Sequence, residues 1–258
     1  MTAPHSGSLS QDDRDALELQ AKLGHATYGL VGAGSLFYMR LVRRNRIAEI
    51  DQTRRIYREA LALGRPTIVC ANHLTMVDSA FLHHGLASTF DYLKDFRRFS
   101  WNVPAVENFT RGRLLRTLVY LGKTIPIDRA GDAAHHKGVI DKIVHVVTHG
   151  DVCTIFPEGG RSRTGRIEPA NVTYGVGQIL KELDRPLVLC AYLRGERQET
   201  WGSLPARGDT MHLEVERLEP TTRETGLRAA RDLARQVIGK LKAMEDAYFA
   251  RRASQSAR

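Results

Sequence analysis

A histidine and an aspartate five residues apart, His73 and Asp78, follow directly on the apolar run of residues 67–71. The run reads as a buried strand and residues 79–87 read as a helix. The pair therefore stands at the carboxyl end of a strand, where α/β proteins place ligands. A carboxylate about one helical turn away can accept the proton on one imidazole nitrogen. That fixes the tautomer, orients the ring and leaves the other nitrogen as a base. Imidazole has an ordinary pKa of about 6.5, so a neutral base is available near pH 7. The spacing alone is a weak signal in a chain with ten histidines, and a helix cap or local hydrogen bond also explains it. A serine hydrolase would carry its nucleophile on a G-x-S-x-G turn. The nearest stretch, Gly160-Arg161-Ser162-Arg163-Thr164, lacks the second glycine. The nucleophile is therefore expected from the substrate, for instance a hydroxyl attacking an acyl carbonyl.

A second stretch, FPEGGRSRTGRI, runs from Phe156 to Ile167 and also leaves a strand-like run, DVCTIF. Its glycines, Gly159, Gly160 and Gly165, allow close approach of backbone N–H groups to an anion. Its arginines, Arg161, Arg163 and Arg166, offer forks that fit phosphate oxygens. Glu158 is expected to brace one of them by a salt bridge. The alternative is a basic, solvated turn. A third stretch, GKTIPIDR, delivers Arg129 at the end of a short strand over 124–128. Alone it is an ordinary surface arginine.

Together the three stretches resemble the glycerolipid acyltransferase family, the group typified by 1-acylglycerol-3-phosphate acyltransferase. The NHxxxxD motif stands here as Asn72-His73 through Asp78, and FPEGTRS as FPEGGRS. GKTIPIDR supplies the glycine, apolar strand and arginine, in the family order. The resemblance covers roughly residues 64–200. It implies transfer of an acyl chain from acyl-CoA or acyl-carrier protein to a lipid hydroxyl, with the donor as co-substrate and no cofactor or metal. By that likeness His73 is the general base and Asp78 its orienting carboxylate. Arg129 and Arg161 hold the acceptor's phosphate or a similar anion. Glu158, Gly159 and Gly160 shape that pocket, with Ser162 close by. The default acceptor by likeness is 1-acylglycerol 3-phosphate, in phospholipid biosynthesis. Two departures bear on the acceptor. Gly160 replaces the usual threonine, and the family's fourth motif, an apolar strand with a proline near its end, is poorly kept in PLVLCAYL.

These motifs must be held by a scaffold. Strands alternate with helices, so the expected fold is α/β, with a mixed, largely parallel sheet flanked by helices. Helices are expected over about 13–40, broken near its glycines, and over 47–63, 110–121, 133–149 and 172–183. Strands are expected over 66–71, 151–156 and 186–193, with a half-exposed strand over 211–218. A last helix is expected to start at a Thr221–Glu224 capping box. Its apolar stripe is Leu227, Ala230, Leu233, Ala234, Val237, Leu241, Met244 and Tyr248. The organisation reads as a disordered tip (1–12) and helical membrane-associating segment to residue 63, an acyltransferase domain over 64–252, and a disordered tail over 253–258.

The 258 residues suffice for a core without disulfides or a structural metal. Cys70, Cys153 and Cys190 each sit in an apolar run and read as reduced, buried thiols of a cytosol-facing chain. The net charge of +9 favours anionic partners. No helix-turn-helix or RNA-recognition signature stands out, which argues against nucleic acid. Residues 23–39 carry no formal charge, and Arg40, Arg43, Arg44 and Arg46 follow. That pattern suits a helix on the anionic cytoplasmic face of a membrane, as a peripheral protein. It also suits a helix packed on the protein's own core. The pairs His83–His84 and His135–His136 are expected on helix surfaces.

Overall fold

The computed structural model describes residues 9–109 and 112–256. Helix α1 (Gln11–Phe37) opens at Ser10, whose hydroxyl accepts from the Asp13 amide. It runs unbroken through the glycines expected to interrupt it and ends in a π turn over Tyr38–Val42. Gly24 serves close approach, since a Cβ there would lie 2.7 Å from the Leu121 carbonyl. There follow β1 (Arg46–Ile47), α2 (Ile50–Leu61), β2 (Thr67–Ala71), α3 (Asp78–Leu86), α4 (Thr89–Lys94) and β3 (Trp101–Asn102). The second half adds α5 (Arg113–Leu121), α6 (Ala133–Thr148), β4 (Val152–Ile155), α7 (Gly175–Glu182), β5 (Leu187–Gly195), β6 (Thr210–Leu218) and α8 (Gly226–Ser256).

The fold is α/β, as expected. A six-stranded sheet runs in the order β1-β6-β5-β2-β4-β3. All neighbours are parallel except β5 and β6. Parallel strands need cover on both faces, and β2 and β5 are buried at every position. Ile68 and Cys70 face one core, with Val146 of α6, Ile179 of α7 and Leu241 of α8. Val69 and Ala71 face the other, with Tyr57 of α2, Phe81 of α3 and Tyr92 of α4. Leu17 lies in the first core and Tyr28 in the second, so α1 crosses from one face to the other, and Met39 of the π turn follows it into the second. The three cysteines are free and buried. Strand β6 alternates half-buried and buried positions over 210–216, as its pattern requires.

Several expectations are corrected. Residues 124–128 form no strand; only isolated bridges join Thr124 to Asn102 and Ile127 to Ala105. Pro126 stands between them without an N–H for a further rung. The Thr221–Glu224 capping box does not form. The Thr221 amide instead donates to Gln236 Oε1 (3.2 Å), whose Nε2 donates back to the Thr221 carbonyl (2.7 Å), and α8 begins at Gly226. Of the predicted stripe, Leu227 is 68% exposed and the rest is buried. Residues 253–256 continue α8, and Leu9 is buried in the first core. Residues 1–8, 110–111 and 257–258, which complete the expected tip, helix and tail, lie outside the described residues. Other expected elements are present with ends shifted by a few residues.

No helix among the described residues is long and apolar enough to cross a membrane. The second half of α1 packs inward through Gly24 and Tyr28, which supports core packing for that edge. Its other edge is uncovered: Leu30 is 82% and Phe37 58% exposed, and Leu41 follows at 64%.

Candidate active site

Strands β2 and β4 are parallel neighbours, with Cys70 opposite Ile155. Their chains leave the sheet at the same edge, which brings residues 72–78 against residues 156–162. Asn72 extends the ladder by its side chain. Its Nδ2 donates to the Leu193 carbonyl (2.9 Å), and the Leu193 amide donates to its Oδ1 (2.7 Å). The amide thus replaces the next rung toward β5 and fixes where the chain turns off.

The following residue, His73, is held from all sides. Its amide donates to Glu158 Oε1 at 3.0 Å, and its carbonyl accepts from the Ser162 amide at 3.0 Å. Its ring stacks on Phe156, with centroids 4.2 Å apart. Its Nδ1 lies 3.0 Å from Asp78 Oδ2. The same oxygen accepts from the amides of Leu74 (2.7 Å) and Thr75 (2.8 Å), while Oδ1 accepts from Thr75 Oγ1 (2.5 Å). Donors thus converge on a buried carboxylate that can only accept here. In the neutral imidazole the proton therefore sits on Nδ1, and Nε2 carries the lone pair. Sequence reasoning paired His73 with Asp78, and the structure brings them together. It did not anticipate Asn72, Thr75 or Phe156 as the parts that fix them.

Glu158 is placed differently from expectation. It caps the His73 amide, and it forms no ion pair with an arginine among the described residues. Burial pushes its carboxyl up to about 7, against the His73 hydrogen bond; the charges of Glu245 and Asp78 push in the same direction as burial. Gly159 has φ +67, and a Cβ would lie 2.4 Å from Thr173 Cγ2, so the turn requires glycine. Gly160 differs, with open space around a built Cβ. The threonine usual at that position in the resembling family would fit. Ser162 turns its hydroxyl into its own loop, donating to the Arg166 carbonyl (2.5 Å) and accepting from the Arg166 amide (3.1 Å).

Arg161 places its guanidinium over the Trp201 ring, 5.2 Å from the centroid. Arg129 is half exposed and 3.5 Å from Glu107. The segment that carries Arg129 is pinned at both ends. Buried Lys123 donates to the carbonyls of Phe96 (3.1 Å) and Phe99 (2.7 Å) and to Asp151 Oδ1 (2.5 Å). At the far end His135 Nε2 accepts from the Asp128 amide (2.9 Å), and His136 Nε2 lies 3.0 Å from the Asp128 carbonyl. These two histidines, expected to be idle on a helix surface, hold the turn before Arg129. His83 is also corrected. It is buried, with Nε2 2.8 Å from Ser100 Oγ, and burial pushes its pKa down to about 3. His84 is half-buried and pushed down to about 4, again by burial first.

His73, Arg129, Gly159, Gly160 and Arg161 border one cavity of about 820 Å³. Its walls are mostly apolar, with Tyr28 and Met39 from one face of the sheet and Val139, Ile143 and Ile179 from the other. The size lies within the roughly 300–1,000 Å³ of small-molecule sites. A histidine on the wall of a largely apolar cavity that two arginines also border suits an amphiphile with an anionic end. Among the described residues no group of three or more His, Cys, Asp or Glu side chains could hold a metal ion.

A family model described as Acyltransferase matches residues 49–193, more than half of the chain and all the loops above except that bearing Trp201. No curated protein matches the chain. With this match and the strand-end geometry together, the chain belongs to the acyltransferase family.

Proposed function

We propose that this acyltransferase moves a fatty acyl chain from a thioester donor, acyl-CoA or acyl-carrier protein, to the hydroxyl of a lysophospholipid. The acceptor favoured is 1-acylglycerol 3-phosphate, and the setting is phospholipid biosynthesis at the cytoplasmic face of a membrane. The observation that carries the reading is the His73–Asp78 pair on the wall of the apolar cavity that Arg129 and Arg161 also border. The acceptor hydroxyl lies against Nε2 of His73. As its oxygen attacks the thioester carbonyl, the proton passes to Nε2 and Asp78 stabilises the resulting imidazolium. The tetrahedral intermediate collapses, the C–S bond breaks, and the proton on Nε2 goes to the departing thiolate. The acyl chain occupies the apolar cavity, and the arginines hold the acceptor's phosphate.

The test is thiol release from long-chain acyl-CoA, and from acyl-carrier protein, with and without a panel of lysophospholipids. Acceptor-dependent release with a matching diacyl product is expected. Release at the same rate without acceptor would mean that water is the nucleophile and the protein a thioesterase, contrary to the proposal.

A further inference from the structure

Beyond the matched region, the loop between β5 and β6 (196–209) folds over the His73 loop. The Gly202 amide donates to the Leu74 carbonyl (3.0 Å) and the Met76 amide to the Ser203 carbonyl (3.3 Å). The same loop is tied to the chain after the π turn. Arg43 Nη2 donates to the Pro205 carbonyl (2.5 Å), Asn45 Nδ2 to the Ala206 carbonyl (2.7 Å), and the Gly208 amide to the Arg43 carbonyl (2.8 Å). Three separate segments thus form one surface. Each contributes uncovered apolar side chains: Phe37, Tyr38 and Leu41 from the end of α1 and its turn, Met76 from the His73 loop, and Trp201 and Leu204 from the β5–β6 loop. A small apolar recess lined by Tyr38, Met39, Leu204 and Pro205 joins the first to the third. Ser35, Met39 and Met76 also line the main cavity, and Met76 is exposed as well, so this surface adjoins that cavity.

The charge around it is mainly positive. Arg40, Arg44 and Arg207 are exposed and Arg43 half-exposed, with Glu199 as the acidic neighbour of Trp201. Apolar and aromatic side chains ringed by arginine fit an anionic bilayer: the rings and leucines enter the headgroup boundary and the arginines meet lipid phosphates. A half-exposed tryptophan suits that boundary, with an apolar body and a polar N–H.

We infer that the β5–β6 loop, through Trp201 and Leu204, is a membrane-docking element that works with the α1 turn to seat the cavity on an anionic bilayer. The inference rests on the lipid-substrate reading only in its choice of partner. It also gives Arg161 a second dependence, because Trp201 stacks on its guanidinium.

The chain carries its own reporter. Of its two tryptophans, Trp101 is 1% exposed and Trp201 47%. The full chain is mixed with vesicles of phosphatidylcholine and phosphatidylglycerol, with and without brominated acyl chains, and tryptophan emission is recorded. Trp201 emission is expected to move to shorter wavelength and to be quenched by the brominated lipid. Trp201→Phe is expected to remove the quenchable component, and Leu204→Asp to weaken vesicle binding about tenfold. Binding without quenching of Trp201 would overturn the inference, because the docking face would lie elsewhere. So would an absence of binding, or a lipid-independent, concentration-dependent emission shift that shows a second copy covering the loop. The assay contains no acyl donor, so absent turnover leaves its result unchanged.

Discussion

The loops that leave β2 and β4 at one sheet edge are built on opposite plans. The first, from Asn72 to Asp78, spends its polar groups on itself and its neighbours. Asn72 is paired to β5, and Asp78 receives hydrogen bonds from Leu74, Thr75 and His73. Such a loop holds one ring in one place. The second, from Phe156 to Arg166, is fixed through Glu158 and Ser162 and at its far end, where Arg194 donates to the Gly165 carbonyl and Arg166 pairs with buried Glu245, but it leaves its middle open. Its cation Arg161 rests on an exposed aromatic face. A group that moves protons needs a fixed geometry, whereas a group that grips an anion needs an open one. Under the proposed function, the contrast fits chemistry at the first loop and recognition at the second.

That division can be broken most severely at Asp78. Asp78→Asn keeps the shape but presents an amide to the Leu74 and Thr75 N–H groups and no longer fixes the His73 tautomer. The acyl-transfer kcat is expected to fall about 10³-fold, and urea unfolding should show a loss on the order of 1–3 kcal/mol. Wild-type turnover would remove the first loop from the chemistry. Arg161→Ala is a milder break on the recognition side. The KM for a phosphate-bearing acceptor should rise roughly tenfold or more, with the donor KM little changed. If only the donor KM rises, the second loop grips the donor instead.

Glu158 sharpens the comparison where the loops meet. Its carboxyl holds its proton up to about 7 in the folded protein, but only to about 4.5 when unfolded. Between those values the folded state binds more protons, so stability falls as pH rises from about 4.5 to about 7. Glu158→Gln should flatten that part of the profile, read as urea midpoints that no longer separate across the window. An unchanged slope would show that Glu158 is not the titrating group.

Both loops were legible in the sequence because each motif is contiguous and follows an apolar strand. What sequence could not show was capture by distant groups. Glu158 sits among arginines along the chain, yet the parallel pairing of β2 and β4 delivers the His73 amide to it first. Thr221 and Glu224 have capping spacing, yet Gln236 takes the backbone of Thr221. Lys123 is enclosed by Asp151 and the carbonyls of Phe96 and Phe99, which lie 24 or more residues away in the chain. The sheet alternation was legible for the same reason that the motifs were, since strand period and burial are local. Trp201 had no local pattern, because its role depends on a loop folding across two others.

The most direct test of the account is the acceptor-dependent acyl-transfer rate of His73→Ala against wild type, with circular dichroism to confirm folding. The account predicts a folded variant whose rate falls by about 10²–10⁴-fold. A folded variant with near wild-type transfer would contradict it, because the proton would then leave the acceptor hydroxyl by another route.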